Sequence, residues 1–247
     1  MSNLLTLISR EIRAYFYSPI AYIVMAVSLL INGWTFWILA NALNNPQLQL
    51  TGNVMQFFFG GTFFFWFSLL LLTSTLTMRL LSEEKRTGSI ELLMTAPVTD
   101  LEVVLGKFLA SWFFFILMWV PTFFYIWILR RYVPIDLGPI FCGYAGTFLV
   151  AGLFLSVGLF ASSLTSNQII ASITSFGILL LIFSVGVLDL FLTDPVSKKV
   201  ISYISVLDHF SDFGKGILDT RRLVYYISFT ILNLFFAVRT LESRRWK

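Results

Sequence analysis

The chain alternates between long apolar runs and short polar connections. Six of the runs are close to the roughly 20 residues that an apolar helix needs to cross a bilayer. They cover residues 20–40, 57–76, 108–129, 139–160, 169–188 and 224–238. This pattern predicts an all-α integral membrane protein with about six transmembrane helices in a single domain over residues 1–247.

The composition agrees with this prediction and disfavours several classes of function. Charged residues make up 12% of the chain, against roughly 25% in soluble domains. The six predicted spans contain no Asp, Glu, Lys, Arg or His, which disfavours an ion-coupled transporter and an intramembrane enzyme, because both need buried ionisable groups. The basic residues flank the spans rather than forming a nucleic-acid patch, so we expect no nucleic-acid partner.

The segment before the first span, residues 1–18, has the spacing of an amphipathic helix. Apolar residues share one face and polar residues, including Arg10 and Arg13, share the other. Pro19 ends this helix. We expect it to lie in the membrane interface, with both arginines toward lipid phosphates or a cytoplasmic partner. The two faces are predicted to carry Leu4, Leu5, Ile8, Ile12, Tyr15 and Phe16, opposite Thr6, Ser9, Arg10 and Arg13.

The one long polar interruption in the first half, residues 80–104, contains helix-ending signals. The glycine at Gly88 is suited to the end of a helix. Ser89 can then cap a short helix that carries Glu91 in its first turn, where a carboxylate meets the positive end of the helix dipole. Pro97 ends that piece.

Helices are predicted on both sides of this interruption. The second span should continue as far as Glu84 or Arg86, and Thr99 with Glu102 forms a capping box for the helix that becomes the third span. The interruption is therefore predicted to be a folded helical hairpin.

An even number of crossings puts both termini on one side, and the Lys and Arg bias favours the cytoplasm for them. The last connection, residues 189–222, then lies outside and is long for a plain loop. Apolar residues recur among its charges, so we expect short helices that lie at or dip into the outer interface. Its candidate functional residues are Asp208, His209, Phe210 and Asp219.

The chain lacks the phosphate-binding pattern of ATPases. Gly106-Lys107 is followed by Phe108, and Gly214-Lys215 by Gly216, whereas the pattern requires Ser or Thr after the lysine. We therefore expect this chain to bind no cofactor of its own, and any energy for transport must enter from another polypeptide through the hairpin.

Four stretches resemble a known family. They are "FYSPIAYIV" at 16–24, "EEKRTGSIELL" at 83–93, "DHFSDFGKGILDTRRLVYY" at 208–226 and "LESRRW" at 241–246. With the order of spans around them, they are similar to ABC-2 type transporter permeases, and more narrowly to the gliding-motility-associated branch.

The resemblance implies a permease subunit, exporting a substrate across the bacterial inner membrane, bound to two cytoplasmic ABC ATPase subunits that hold ATP and Mg²⁺. It also implies a homodimer or a paired permease, and an auxiliary subunit with a periplasmic domain. By match to the family's coupling helix, the ATPase contact is assigned to Glu84, Arg86, Gly88, Ser89, Glu91, Leu92 and Pro97.

Two alternatives stay open at this stage. The protein could transmit force to a periplasmic partner without moving cargo, a reading that uses the same sequence features. It could instead be a lipid-modifying membrane enzyme that uses Asp208, His209 and Asp212.

Overall fold

The computed structural model describes residues 2–44, 54–89, 98–132, 136–189 and 194–243. These residues form helices, and no strand occurs among them. The twelve described helices are α1 (Ser2–Tyr17), α2 (Pro19–Asn44), α3 (Val54–Phe58), α4 (Phe63–Thr77), α5 (Ser82–Thr87), α6 (Asp100–Trp119), α7 (Thr122–Tyr132), α8 (Leu137–Leu164), α9 (Gln168–Leu188), α10 (Pro195–Ile204), α11 (Val206–Gly214) and α12 (Thr220–Glu242).

Six helical stretches are long and apolar enough to cross a membrane, which confirms the predicted all-α membrane fold. Two of them combine a pair of helices, α4 with α5 and α6 with α7, and the second break lies beside Pro121. The six stretches are Pro19–Asn44, Phe63–Thr87, Asp100–Tyr132, Leu137–Leu164, Gln168–Leu188 and Thr220–Glu242.

The predicted start of the second span at Phe57 is wrong. Phe57 belongs to the short α3, which is followed by a turn at Gly60 with φ of +84°. That left-handed conformation suits glycine because a side chain would be strained there. The Thr62 side chain then caps α4 by accepting a hydrogen bond from the Phe65 amide at 3.3 Å. The apolar run therefore hides a turn.

α8 lies at the centre of the bundle, with most of its residues buried. Its small residues allow neighbouring elements to approach closely. A Cβ added at Gly143 would lie 2.5 Å from the Phe59 ring, and one at Gly158 would lie 2.0 Å from the Thr77 hydroxyl. The small residues of this span are thus sites of tight packing between helices.

The two ends of α8 define two ends of the molecule. Near its beginning, Gly146 faces Phe210 and Phe213 of α11, and we name this the α11 end. Near the C-terminus of α8, the Ser162 hydroxyl accepts hydrogen bonds from the Leu81 and Ser82 amides at 3.2 and 3.1 Å. We name this the α5 end.

The N-terminal helix is amphipathic and ends before Pro19, as predicted. It packs against α6, where Leu7 lies over Gly106 and a Cβ on that glycine would come within 3.2 Å. The predicted apolar face is partly packed and partly exposed: Tyr15 is buried, whereas 64% of the Leu5 surface and 37% of the Phe16 surface are exposed. Phe16 also contacts the Phe114 ring of α6, with ring centroids 5.9 Å apart.

The predicted outer segment contains two short helices, α10 and α11, joined at Ser205. Ser205 is fully buried, and its hydroxyl accepts a hydrogen bond from the Asp208 amide at 3.1 Å, which caps α11. Phe210 is 1% exposed and packs between the rings of Phe65 and Trp66. The segment is therefore anchored in the aromatic core by Phe210.

Candidate functional site

The predicted end of the second span at Gly88 is confirmed. α4 ends at Thr77, the chain turns, and α5 continues to Thr87 before Gly88 adopts φ of +72°. Arg86 lies exposed in the last turn of α5. The Ser89 hydroxyl lies 2.9 Å from that of Thr87.

The remaining predicted coupling residues, Glu91, Leu92 and Pro97, lie outside the described residues. The predicted capping of the short helix by Ser89 depends on the same stretch. On the far side of it, the predicted capping box is confirmed: the Thr99 amide donates to the Glu102 carboxylate at 2.9 Å, and the Glu102 amide donates to the Thr99 hydroxyl at 3.3 Å.

A cluster of charged residues joins α1, α5 and α6 at the α5 end. We call it the elbow cluster, and its members are Arg10, Glu11, Arg79, Glu83, Glu84 and Lys107. Its centre is Lys107, which is 3% exposed. The Lys107 ammonium lies 2.7 Å from Glu84 Oε1 and 3.1 Å from Glu11 Oε1.

This geometry pairs one buried cation with two carboxylates from different helices. Burial of a lysine is costly unless its charge is paired and hydrogen-bonded. Burial opposes ionisation of Glu11, but the Lys107 charge and the hydrogen bonds from Arg10 and Lys107 together hold the pKa of Glu11 below its ordinary value. Glu11 is therefore ionised at neutral pH, and the bridge is a charged one.

Arg10, predicted to face lipid or a partner, instead bonds within the cluster. Its guanidinium lies 2.8 Å from Glu11 Oε1 and 3.5 Å from Glu84 Oε1, while half of the side chain stays exposed. Arg13 is exposed one turn later. Arg10 therefore belongs to the elbow cluster, whereas Arg13 does not.

Further hydrogen bonds join the residues around Lys107. The Arg79 guanidinium donates to the Ser18 hydroxyl at 2.9 Å, and the Tyr15 hydroxyl donates to the Leu76 carbonyl at 3.1 Å. Burial raises the pKa of Tyr15, so that phenol remains a neutral donor. A cavity of about 210 Å³ lies between these residues and Lys107.

α5 is also attached to the end of α8. In addition to the Ser162 contacts, the Lys85 ammonium donates to the Ser163 carbonyl. A displacement of α5 would consequently act on α1 and α6 through the elbow cluster and on the central helix through these hydrogen bonds.

A second polar region lies at the α11 end. It is a cavity of about 600 Å³, which we call the α11 pocket, lined by Lys199, Ser202, Tyr203, Asp208, His209, Asp219, Arg221, Arg222, Val224 and Tyr225. Three of the four predicted residues of the outer segment, Asp208, His209 and Asp219, therefore share one cavity. The fourth, Phe210, points into the core.

His209 is 5% exposed and both of its ring nitrogens are engaged. Arginine can only donate hydrogen bonds, so Arg222 Nη1 donates to Nδ1 of His209. The ring proton of the neutral imidazole therefore lies on Nε2, which donates to the Tyr203 carbonyl at 3.0 Å. The ring stacks on Tyr225 with centroids 4.0 Å apart. Burial and the Arg222 charge lower the pKa of His209, although the hydrogen bond to Tyr203 opposes this shift.

Asp208, His209 and Asp212, the residues of the enzyme alternative, make no direct hydrogen bond to one another through their side chains. Asp212 pairs with Arg222 at 3.0 Å. Asp208 Oδ2 is buried without a hydrogen-bond partner, and burial together with the nearby Asp189 charge raises the pKa of Asp208. The imidazole thus bonds to Arg222 and a backbone carbonyl rather than to either carboxylate, which is unfavourable for acid-base chemistry.

Asp219 has a structural role in this pocket. Its carboxylate accepts a hydrogen bond from the Arg221 amide at 2.9 Å and caps the beginning of α12.

Sequence reasoning missed three central residues. Glu11, Lys107 and Arg222 were not singled out as functional residues, and they form the principal ion pairs of the two regions. One available signal was the position of Glu11, because a carboxylate beside the apolar face of an amphipathic helix requires a cationic partner when that face packs.

The sequence of the chain matches a model of a known protein family. A family model described as ABC-2 family transporter protein matches residues 36–232, which is most of the chain. No curated protein matches the chain.

Proposed function

Since the chain belongs to the ABC-2 family of transporter proteins and is a multi-pass membrane permease of that family, we propose that a separate cytoplasmic ABC ATPase drives it to export a substrate. ATP and Mg²⁺ are bound by that partner. The α5 end faces the cytoplasm of a bacterium, both termini lie on that side, and the membrane is the inner membrane.

The single observation that carries this proposal is the double bridge made by Lys107. One buried ammonium bonds to Glu11 of α1 and to Glu84 of α5 while being part of α6. Three elements that are distant in sequence therefore move as one body when any of them is pushed. Such a joint is what a permease without its own ATP site needs in order to receive force.

The path of this force follows from the contacts. An ATPase that closes against the exposed tip around Arg86 and Gly88 would displace α5. Glu84 and Lys107 pass the displacement to the third span, and Glu11 passes it to α1. The Ser162 and Lys85 contacts pass it to α8. Rigid-body rocking of spans is a common form of such transitions.

The assembly is proposed to contain two permease chains, as a homodimer or with a similar permease, and an auxiliary subunit with a periplasmic domain. The pairing rests on the resemblance to ABC-2 type permeases, and the auxiliary subunit rests on the resemblance of 16–24, 83–93, 208–226 and 241–246 to the gliding-motility-associated branch. It carries no implication that the host glides.

The first experiment tests the ATPase contact. Purification of the tagged chain from its native host should recover an ABC ATPase, and Arg86→Gln should weaken this recovery severalfold because Arg86 is exposed at the tip of α5. The matched control is Arg239→Gln, another exposed arginine, near the close of α12. Equal recovery with both variants, or no ATPase with the unaltered chain, would contradict the proposal.

The second experiment tests transmission. Spin labels at Arg13 and Lys198, which are exposed in α1 and α10, report the distance between the two ends of the molecule. ATP with vanadate should change this distance in the complex, and Glu84→Gln should reduce the change while the ATPase stays bound, because the contacts of Ser162 and Lys85 with α8 remain. A change of unaltered size in this variant would show that force bypasses the elbow cluster.

Export and force transmission to a periplasmic partner differ in one outcome. Both require the nucleotide-dependent change in distance, but only export moves a substrate into proteoliposomes or inverted vesicles whose ATPases face the external solution. A complex that changes conformation without moving any compound from a native lipid and peptide extract favours the force-transmitting alternative.

A further inference from the structure

Two basic side chains, Lys199 and Arg221, line the α11 pocket and are exposed. Within the described part of the chain, no carboxylate lies within ion-pair distance of either side chain, whereas Arg222 is paired with Asp212. As far as the described residues show, the cavity therefore presents two positive charges without an acidic partner.

The carboxylates of the pocket do not supply that partner. The Asp219 carboxylate caps α12 by accepting a hydrogen bond from the Arg221 amide. Asp208 is partly buried, and within the described residues it forms no ion pair with Lys199 or Arg221. An anion entering the cavity would therefore meet unpaired cations at Lys199 and Arg221.

An exposed apolar stripe begins in the cavity and follows α12 along the span. Its residues recur at intervals of three or four positions, which places them on one face of the helix. They are Val224, Ile227, Ile231 and Phe235, with exposed fractions of 62%, 48%, 60% and 49%. Val224 also lines the cavity, so the charged and apolar surfaces are continuous.

The dimensions match one leaflet of a membrane. The 11-residue step from Val224 to Phe235 extends about 16 Å at the helical rise, and half of the bilayer's hydrocarbon core is about 15 Å. The cationic cavity and the exposed apolar face of α12 that begins beside it are together complementary to the phosphate and one acyl chain of a phospholipid.

From this juxtaposition we infer that the α11 pocket binds the phosphate of a phospholipid headgroup between Lys199 and Arg221, with an acyl chain along the Val224–Phe235 face of α12. The Arg222, Asp212 and His209 network forms the rigid wall of the site. The occupant is a lipid of the leaflet at the α11 end, and the site works without any ATPase.

The test is native mass spectrometry of the full-length chain, delipidated in detergent and titrated with dioleoylphosphatidylglycerol. The variant Lys199→Ala with Arg221→Ala should weaken lipid retention by roughly thirtyfold, since each basic group near a membrane surface contributes a factor of about five. The control for the Lys199 substitution is Lys198→Ala, which removes one positive charge from the same helix at a side chain that does not line the cavity.

Two further arms identify the source of the phosphate and guard against misfolding. Dioleoylglycerol, which lacks a phosphate, should not compete, and excess inorganic phosphate, which lacks acyl chains, should not displace the lipid. The charge-retaining pair Lys199→Arg and Arg221→Lys should bind as the unaltered chain does, with an unchanged elution volume.

Three results would overturn the inference. They are equal retention by the double alanine variant and by Lys198→Ala, competition by dioleoylglycerol as strong as that by the phospholipid, or displacement by inorganic phosphate. The last result would identify a site for the free anion instead of a lipid site.

Discussion

The two charged regions at opposite ends of α8 are built in different ways. In the elbow cluster, Lys107 bonds to residues 96 and 23 positions away and is almost completely buried. In the α11 pocket, Arg222 bonds to residues 13 and 10 positions away, and two neighbouring cations form no ion pair with any described residue. The first arrangement connects distant elements, and the second leaves charge available to a ligand.

The difference shows how ion pairs at different sequence separations serve different purposes. When a buried long-range ion pair separates, a charge is left buried without its partner, which costs free energy. The pair therefore holds its helices together. A short-range pair is formed largely within one segment, so it stabilises the wall of a cavity without tying remote elements. Three changes test this contrast, from the largest expected effect to the smallest.

The largest effect is expected for Lys107→Met. The variant leaves the carboxylates of Glu11 and Glu84 largely buried without their shared cation, and loss of one partner of a buried pair lowers the free energy of unfolding by about 3 kcal/mol. Unfolding in mixed detergent micelles, followed by circular dichroism, measures this change. Combining it with Glu11→Gln and Glu84→Gln should recover most of the loss, and a single variant as stable as the unaltered chain would refute the role of the joint.

A smaller effect is expected for Arg222→Met at the other end. Its side chain is a quarter exposed and bonds to Asp212 and His209, and loss of hydrogen bonds between charged groups costs about 1.5 kcal/mol. The same unfolding measurement applies, and adding Asp212→Asn should recover part of the loss. A loss as large as that of Lys107→Met would remove the contrast between the two ends.

The smallest effect is a pH dependence centred on His209. Its pKa is lowered in the folded protein from the ordinary 6.5, so the unfolded chain binds the proton first as the solution is acidified. The stability contributed by the neutral ring is complete above pH 6.5 and is lost as pH falls from 6.5 toward the folded-state pKa. Thermal melting in detergent over this range measures the loss.

The groups that face this ring act in both directions. Arg222 opposes protonation, Asp208 and Asp212 favour it, and Tyr203 and Tyr225 hold the ring in place. The raised pKa of Asp208 contributes stability that is present at low pH and is lost as pH rises through that pKa. His209→Asn removes only the histidine contribution, so an acid sensitivity that is unchanged in this variant would assign the effect to another group.

Sequence patterns predicted the local features of the molecule well. Gly88 ends α5, Thr99 and Glu102 form a capping box, and Pro19 separates α1 from α2. Each of these features depends on a few neighbouring residues, because capping and backbone conformation are decided within about one helical turn. The turn at Gly60 was missed because apolar residues surround it on both sides, and hydropathy alone does not distinguish a buried turn from a span.

Asp208 and His209 line the same cavity, but the imidazole does not bond to that carboxylate. Adjacent residues of a helix point about 100° apart, so sequence neighbours in α11 do not face one another. The imidazole meets Arg222 from α12 instead. The same limit applies to the elbow cluster, where the charge of Lys107 was visible in the sequence but its two partners were not.

The sequence by itself determined that the chain crosses the membrane about six times, where several helices begin and end, and that it has no phosphate-binding loop of the ATPase type. These properties depend on composition and on neighbouring residues. Only the tertiary structure decided that Lys107 bridges Glu11 and Glu84 and that Lys199 and Arg221 line one cavity. An ion pair or a cavity depends on distances of a few ångströms, and for remote residues the packing of helices alone sets those distances.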